Sequence, residues 1–208
     1  MSEGYIYIAS NSVSENPIDY VAEADFSAIS LKKVDPNAHI TLFTDKPFDS
    51  DAFDSVVLEP MSLRCKMSIF NKSPYEKTLY IDTDTYINCP VNDVFELLDN
   101  YELLAVHDYA RKRILPIPEY MAIPYGFSEL NGGIIGFRKC ANFEKMMELW
   151  NHYFEKYQAD MPWDQPSFRV AVWESKINLY VLPSEYNRRG LHNKKKAAKF
   201  KKAKDPRY

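Results

Sequence analysis

The sequence predicts a single α/β domain in which a mainly parallel central sheet is flanked by helices. Short apolar runs rich in β-branched and aromatic residues alternate with stretches whose apolar residues recur every three or four positions. The chain has 208 residues, of which 46% are hydrophobic and 26% charged, and this is typical of a globular domain with one sizeable core. Parallel sheets of this kind bind ligands at the carboxyl ends of their strands.

The amino-terminal half contains four predicted strands, at residues 5–9, 39–43, 55–58 and 78–81. Asn16-Pro17 combines an N-cap residue with a first-turn proline, and it therefore predicts a helix over residues 18–31. A second helix is predicted over residues 61–70, because a turn-forming sequence follows at residues 71–74.

The carboxy-terminal half continues the alternation. A short apolar run occupies residues 86–87, and Pro90 begins a helical turn over residues 91–98. Further strands are predicted at 103–106, 130–137 and 177–182, and further helices at 143–157 and 165–173. Residues 109–128 are rich in Pro and Tyr without a clear period, and so long a loop in a compact domain is more often functional than idle.

Charge is distributed unevenly along the chain. Residues 188–208 contain ten Lys or Arg and one acid, whereas the remainder contains 16 basic and 28 acidic residues. The acidic body argues against nucleic-acid binding by the fold, and the tail could contact a phosphate or an anionic surface or be a solvated linker. We therefore expect a domain over residues 1–192, a basic tail or linker over 193–208, and no nucleic-acid partner.

Cysteine usage and the amino terminus predict a cytoplasmic protein. Cys65, Cys89 and Cys140 lie far apart without a Cys-x-x-Cys spacing, so neither a zinc site nor a disulfide framework is indicated. The amino terminus lacks a basic segment followed by a long apolar one, and no stretch approaches the roughly 18 apolar residues of a membrane span.

Glycine is scarce, and this excludes several kinds of nucleotide site. The chain has 6 glycines, and Gly4 is the only one before Gly126. A Walker A loop and a dinucleotide fingerprint both need glycines directly after an early strand. A sugar-phosphate nucleotidyltransferase would need a similar loop, and that function is kept only as an alternative.

Two carboxylates follow the predicted strand at residues 78–81, in the sequence Asp82-Thr83-Asp84. In extended backbone, residues spaced i and i+2 project to the same side and can address one cation. Mg²⁺ or Mn²⁺ takes oxygen ligands from one or two carboxylates and fills its other positions with water and substrate phosphates. The pair predicts half of a metal–diphosphate site; the alternative is a polar strand end whose aspartates cap the next turn.

The surroundings of this pair resemble the metal-binding motif of GT-A nucleotide-sugar glycosyltransferases, especially glycosyltransferase family 8. Three further segments match in the same order: residues 63–66 with 74–80 resemble the family's basic helix and the strand before the aspartates, 129–137 its Asn-Gly strand, and 163–165 its Asp-Gln helix start. The resemblance covers roughly residues 4–192 and implies a GT-A (Rossmann-like) fold. The chain also resembles the amino-terminal glycosyltransferase domain of chlorella-virus proteins associated with capsid glycosylation, which implies a viral protein in the host cytoplasm.

The resemblance implies an activity and a set of ligands. It implies transfer of a sugar from a UDP-sugar donor to a hydroxyl of a glycan or glycoprotein acceptor, with Mn²⁺ or Mg²⁺ and with retention of anomeric configuration. Asp164 would then attack the sugar in a double displacement, or departure and attack would occur on one face, and the sequence leaves both open. A glycoside hydrolase, and a non-catalytic binder that uses the basic tail on anionic ligands or nucleic acid, are the alternatives from other classes.

Metal and nucleotide residues follow from the same resemblance. The implied metal ligands are Asp82, Asp84 and His192. The implied nucleotide-binding residues are Ala9, Ser10, Asn11, Thr44, Asp45, Arg64, Lys66, Asp82 and Thr83. Arg64 and Lys66 could instead be solvated helix charges. His192 lacks the Gly and Lys-Pro-Trp elements that follow the histidine in family 8, so an exposed histidine is the alternative there.

Sugar-binding and catalytic residues complete the implied site. The sugar contacts are Asp108, Asn131, Gly132, Gly133 and Trp163, and the catalytic residues beside the anomeric carbon are Asp164 and Gln165. The glycine pair could instead mark a bulge in a packed strand. Asp164 could instead cap the helix that follows it, with Trp163 in the core.

Overall fold

The computed structural model describes residues 2–13, 17–62, 64–108 and 114–188. Within these residues, seven strands form one sheet in the order β3-β2-β1-β4-β6-β5-β7. The strands are β1 Glu3–Ile8, β2 Ile40–Thr44, β3 Ser55–Leu58, β4 Lys77–Ile81, β5 Leu103–His107, β6 Leu130–Arg138 and β7 Leu179–Leu182. β6 is antiparallel to both of its neighbours, β4 and β5, and the other neighbouring pairs are parallel. The prediction of a mainly parallel sheet is confirmed.

Helices cover both faces of the sheet. They are α1 Tyr20–Val34, α2 Lys66–Ile69, α3 Asp93–Asn100, α4 Pro118–Met121, α5 Ala141–Tyr157 and α6 Gln165–Ser175, with single 3-10 turns at Phe70–Lys72 and Ser184–Asn187. Tyr5 and Tyr7 of β1 belong to the core that α1 and α3 close, whereas Ile6 belongs to the core that α5 and α6 close. This alternation is the period of two that a strand buried on both faces requires.

Two predicted helices begin later than the sequence pattern indicated. Asp19 is the N-cap of α1, because its side chain accepts a hydrogen bond from the amide of Ala22, while the predicted N-cap Asn16 lies outside the described residues. The helix predicted over residues 61–70 is wrong in its first half, because Arg64 has a φ of 64° and the regular turns begin at Lys66. A residue with left-handed backbone angles interrupts a right-handed helix.

Smaller differences concern the loops. The last strand begins at Leu179 instead of residue 177, and the apolar run at residues 86–87 is part of a loop. The segment without a clear period contains α4, while residues 109–113 lie outside the described part of the chain. Among the described helices, none has the length and apolar composition needed to cross a bilayer.

Candidate functional site

The predicted polar residues gather at one edge of the sheet. β1, β2 and β4 are parallel, so their carboxyl ends meet there, and β6 begins there because it runs in the opposite direction. Ser10 follows β1, Thr44 ends β2, Asp82 follows β4, and Asn131 lies at the start of β6 opposite the end of β5. Ser10, Thr44 and Asp82 therefore lie at carboxyl ends of strands, as the sequence rule predicted, and Asn131, which the family resemblance implied, lies at the same edge.

Asp82 is fixed by three contacts. Its amide donates to the carbonyl of Gly133 at 2.8 Å, which extends the pairing of β4 with β6 by one residue. Its Oδ1 accepts a 2.6 Å hydrogen bond from the Tyr80 hydroxyl and lies 3.2 Å from Nζ of Lys66. Burial and the Asp82 charge raise the pKa of Tyr80 well above its usual range, so the phenol keeps the proton that it donates.

The backbone after Asp82 turns, contrary to the extended conformation that the spacing suggested. The turn occupies residues 83–84, so Asp82 and Asp84 are not successive side chains on one face of a strand. Asp82 and Thr83 are half-buried, whereas Asp84 is exposed to solvent. Asp84 is therefore the more accessible of the two carboxylates.

A chain of buried hydroxyls holds this turn against α1. Thr85 Oγ1 donates to the carbonyl of Asp82 at 2.9 Å and lies 2.6 Å from Ser27 Oγ, which lies 3.0 Å from the Tyr7 hydroxyl. We call Tyr7, Ser27 and Thr85 the hydroxyl chain. Three residues further along α1, Ser30 Oγ accepts a hydrogen bond from the amide of Ile87 at 2.9 Å. The carboxylates thus stand on a turn that buried hydrogen bonds position.

Gly133 leaves room for the polar side chains around it. A Cβ at this position would lie 2.9 Å from Asp82 Oδ2 and 2.9 Å from Asn131 Oδ1, closer than real Cβ contacts allow. Asn131 Oδ1 accepts hydrogen bonds from the Gly133 amide and from Asn187 Nδ2. The register with β5 also shifts here, since Ala105 faces Ile135 and Val106 faces Asn131. The glycine pair therefore lies in a bulge, as one interpretation predicted, and Gly133 also gives the Asp82 and Asn131 side chains room, while a contact of this pair with a sugar stays a prediction.

Lys66 and Arg64 lie beside the carboxylates, and Lys66 is largely shielded from solvent whereas Arg64 is exposed. Nζ of Lys66 donates to the Gly132 carbonyl at 2.7 Å, and the side chain is only 15% exposed. Burial lowers the pKa of Lys66, but the Asp82 and Asp164 carboxylates outweigh it and hold the pKa above its usual value. Arg64 is more exposed, and its Nη1 lies 3.8 Å from Asp164 Oδ1.

Asp164 is buried without the capping bond that its position would allow. It is the N-cap of α6, but its side chain makes no cap hydrogen bond, and it is 8% exposed. Among the described residues, its Oδ2 has no hydrogen-bond partner. The carbonyl of Asp164 accepts a 3.0 Å bond from the indole of Trp150, which fixes the start of α6 against α5. A buried carboxylate oxygen without a donor is costly, so this oxygen calls for a partner such as a water molecule, an ion or a ligand.

The neighbours of Asp164 complete this part of the site. Gln165 Nε2 donates to Asp108 Oδ2 at 2.6 Å, which joins the start of α6 to the end of β5. Trp163 is half-buried and not a core residue, and the Arg64 guanidinium lies 5.6 Å from its ring centroid. Asp108, Trp163, Asp164 and Gln165 are therefore close together, as the resemblance implied.

Several of the residues predicted to bind the nucleotide lie at the ends of β1 and β2. Burial of Asp45 opposes its charge, but hydrogen bonds from Ser12 and Ser10 outweigh it and lower the pKa of this carboxyl. Ala9 and Thr44 are buried beside it, and Thr44 Oγ1 has no hydrogen-bond partner among the described residues. The Asn11 side chain instead binds Asp19 and the Val21 amide at the start of α1.

Among the residues predicted for the site, the proposed metal ligand His192 lies outside the described part of the chain.

Sequence reasoning missed Arg169, which holds the segment between β5 and β6. Arg169 is 1% exposed and donates from Nε and Nη2 to the Phe127 carbonyl at 3.1 and 2.8 Å and from Nη2 to the Pro124 carbonyl at 3.2 Å. Its guanidinium also stacks 4.7 Å from the Tyr120 ring centroid, and Tyr120 donates to Glu129. An arginine on a helix is typical of a solvated surface, so no sequence signal indicated this role.

The donor set fits a hard divalent ion that takes few ligands from the protein. In the described residues, no group of three or more His, Cys, Asp or Glu side chains could hold a metal by itself. Asp82 and Asp84 supply oxygen atoms, which Mg²⁺ and Mn²⁺ prefer, and such ions commonly complete their shell with water and phosphate oxygens. Gly133 has no Cβ that would crowd Asp82 Oδ2.

Comparison with known proteins identifies the fold. No protein-family model matches the chain, and no curated protein matches it in sequence. The galactosyltransferase LgtC, solved with donor and acceptor sugar analogues, superposes with a TM-score of 0.60 at 12% identity over 88% of this chain and 74% of LgtC. The glycosyltransferase GlyE of Streptococcus pneumoniae TIGR4 superposes with a TM-score of 0.61 at 16% identity. The match covers 89% of this chain but only 46% of GlyE. Mouse xyloside xylosyltransferase 1 gives 0.56 at 11% identity, covering 90% and 87% of the two chains. The chain therefore has the GT-A fold that these glycosyltransferases share.

Proposed function

We propose that this protein is a metal-dependent glycosyltransferase that moves a sugar from a UDP-sugar to a hydroxyl of a glycan or glycoprotein, with retention of configuration. One observation carries the proposal. At the edge where the strands end in a glycosyltransferase fold, two cations lie beside two carboxylates. Lys66 lies 3.2 Å from Asp82, and Arg64 lies 3.8 Å from Asp164. Cations suit a leaving diphosphate, and a carboxylate suits the positive charge that develops at the anomeric carbon.

Asp82 and Asp84 would hold the divalent ion, and when bound it would supply positive charge beside the leaving diphosphate. The protein itself contributes the fixed cations. Lys66 is oriented by its bond to the Gly132 carbonyl and is shielded from solvent, so its charge acts at greater strength than in water. Ser10, Thr44 and Asp45 would bind the uridine and ribose at the ends of β1 and β2.

Asp164 would act at the sugar. Its Oδ2 is buried and makes no hydrogen bond within the described residues, and the carboxylate would serve as a nucleophile toward the anomeric carbon or stabilise positive charge there. Gln165 and Asp108, which are bonded to each other, would contact sugar hydroxyls beside it. Asn131 uses its Oδ1 for Gly133 and Asn187, which leaves its amide nitrogen as the group for a sugar contact.

The finer assignments rest on sequence motifs. Membership of glycosyltransferase family 8 is proposed from residues 64–66, 82–84, 131–133 and 163–165 taken together. Origin in a chlorella virus and location in the host cytoplasm stay predictions. A nucleotidyltransferase is disfavoured because the residues directly after β1, 9–13, contain no glycine.

A thermal-shift screen of nucleoside diphosphates and nucleotide sugars, with and without Mn²⁺, tests the proposal. We expect UDP or a UDP-sugar with Mn²⁺ to raise the melting temperature, because a ligand that binds only the folded state stabilises it. Removal of residues 193–208 should leave that shift unchanged. Stabilisation that disappears with the tail and with added salt would instead support an anionic-ligand or nucleic-acid binder.

Replacement of Gly133 by alanine tests the geometry of the site. The added Cβ would displace the Asp82 or Asn131 side chain, and we expect Mn²⁺-dependent UDP affinity to fall by about tenfold or more, the typical effect of disturbing groups that orient metal ligands. Isothermal titration calorimetry measures this affinity. Gly126→Ala is the matched control, because a Cβ there meets nothing within 4 Å. Equal UDP affinity in the two variants would contradict the role of Gly133.

A further inference from the structure

Lys66 holds a positive charge against one of the two carboxylates proposed to bind the metal. Its Nζ lies 3.2 Å from Asp82 Oδ1, 2.7 Å from the Gly132 carbonyl oxygen and 4.8 Å from the centroid of the Tyr80 ring. The side chain is 15% exposed, compared with 47% for Lys72, which pairs with Glu59 nearby in sequence. These contacts fix the ammonium in one place, whereas a surface lysine is free to turn away.

The same charge must act on any ion that Asp82 binds. An ion on Asp82 shares its carboxylate with Lys66, so the two cations lie within the distance of about 8 Å over which physiological salt screens charges. Screening by water is also weak at a shielded side chain. In the empty site Lys66 therefore opposes the binding of a divalent cation, because it already neutralises the carboxylate and repels the ion.

A diphosphate reverses this effect. Its phosphate oxygens bring negative charge to a site where Lys66 and Arg64 already offset the Asp82 and Asp164 carboxylates. The ammonium then attracts the phosphates, and the added negative charge compensates the repulsion between ammonium and metal. Metal and diphosphate would thus raise each other's affinity, and such coupling is reciprocal.

We propose that Lys66 is a built-in counter-cation that weakens metal binding to the empty site and makes it conditional on the diphosphate. This inference rests on the proposed function, since it concerns the same metal–diphosphate site. Its consequence is that the free protein does not retain the divalent ion, so nucleotide and metal enter together. A site without this ammonium would bind the ion by its carboxylates alone.

The test compares Mn²⁺ affinity, by titration with electron paramagnetic resonance of free Mn²⁺, in the wild type and in Lys66→Gln. The amide keeps a donor for the Gly132 carbonyl and removes the charge. We expect Lys66→Gln to bind Mn²⁺ alone at least about fivefold more tightly, and the increase of Mn²⁺ affinity caused by saturating UDP to be at least about fivefold smaller, the lower range of typical coupling between sites. Lys66→Arg, which keeps the charge, should retain the coupling.

Lys139→Gln is the matched control. Lys139 is also partly buried and also donates to a backbone carbonyl at 2.7 Å, that of Ser73, but it follows β6 at the opposite edge of the sheet. Lys66→Met is measured in parallel, with melting temperatures, so that a folding defect in one neutral variant does not decide the result. We expect Lys139→Gln to match the wild type in both affinities.

The outcomes separate this inference from the proposed function. If UDP promotes Mn²⁺ binding in the wild type and equally in the neutral Lys66 variants, or if those variants bind Mn²⁺ alone no more tightly, the role of Lys66 is overturned and the metal-dependent function stands. If the wild type binds no Mn²⁺ even with UDP, the metal dependence of the proposed function is overturned, and the inference falls with it.

Discussion

Replacing Asp164 by asparagine is expected to lower turnover by about 100-fold or more, in the range seen when a charged catalytic group or a stabilising donor is removed. The amide keeps the volume of the side chain but removes the anionic oxygen that faces the proposed sugar position. The affinity for UDP should fall far less than the rate, because Asp164 is placed at the sugar, although its Oδ1 also lies 3.8 Å from Arg64. Steady-state rates and UDP affinity, measured separately, test this expectation.

Asp160→Asn is the control for that measurement. Asp160 lies in the turn after α5 and is exposed, so the same change of charge occurs a few residues away without touching the site. A normal rate in Asp164→Asn would contradict the catalytic role. Equal losses of rate and UDP affinity would instead place Asp164 at the nucleotide.

Replacing Asp84 by asparagine is expected to reduce Mn²⁺-dependent UDP binding by more than about 100-fold, because loss even of the partners that orient metal ligands typically costs 10- to 100-fold. Asp84 is exposed, so the fold should be unaffected. The measurement is the Mn²⁺-dependent change in melting temperature caused by UDP, followed by calorimetry.

Asp51→Asn provides the comparison for the Asp84 variant. Asp51 is exposed and precedes β3, so it lies at the opposite edge of a sheet in which β3 and β4 run in the same direction. Undiminished stabilisation by UDP and Mn²⁺ in Asp84→Asn would exclude this carboxylate as a metal ligand.

The sequence was sufficient to predict the sheet and the edge where the site lies. Periodicity located all seven strands of the described chain, and the rule that ligands bind at strand ends indicated Asp82 and Asp108, whereas Asn131 was implied by the family resemblance. The contact of Tyr80 with Asp82 could also have been predicted, since residues two apart at the end of a strand share a side. The periodicity of the apolar residues predicts the strands, and the direction of each strand predicts the edge at which its last residues lie.

Contacts between distant parts of the chain could not be predicted. Ser27 and Thr85 are 58 positions apart, Asn131 and Asn187 are 56 apart, and Arg169 and Phe127 are 42 apart. Such pairs depend on how helices pack on the sheet, and single hydroxyl, amide or guanidinium groups leave no periodic signal. The helix start at Lys66 was missed for a related reason, because the left-handed backbone of Arg64 has no glycine to indicate it.

The hydroxyl chain has a consequence for the entropy of ligand binding. Tyr7 and Ser27 are fully buried and Thr85 is 3% exposed, so the turn that carries Asp82 cannot move without separating hydroxyls that have no water to replace their partners. Its conformational freedom is therefore lost when the protein folds and not when a ligand arrives. If a nucleotide binds there as proposed, it would meet a carboxylate that is already in place and would lose less of its binding free energy to ordering the protein than it would at a mobile loop.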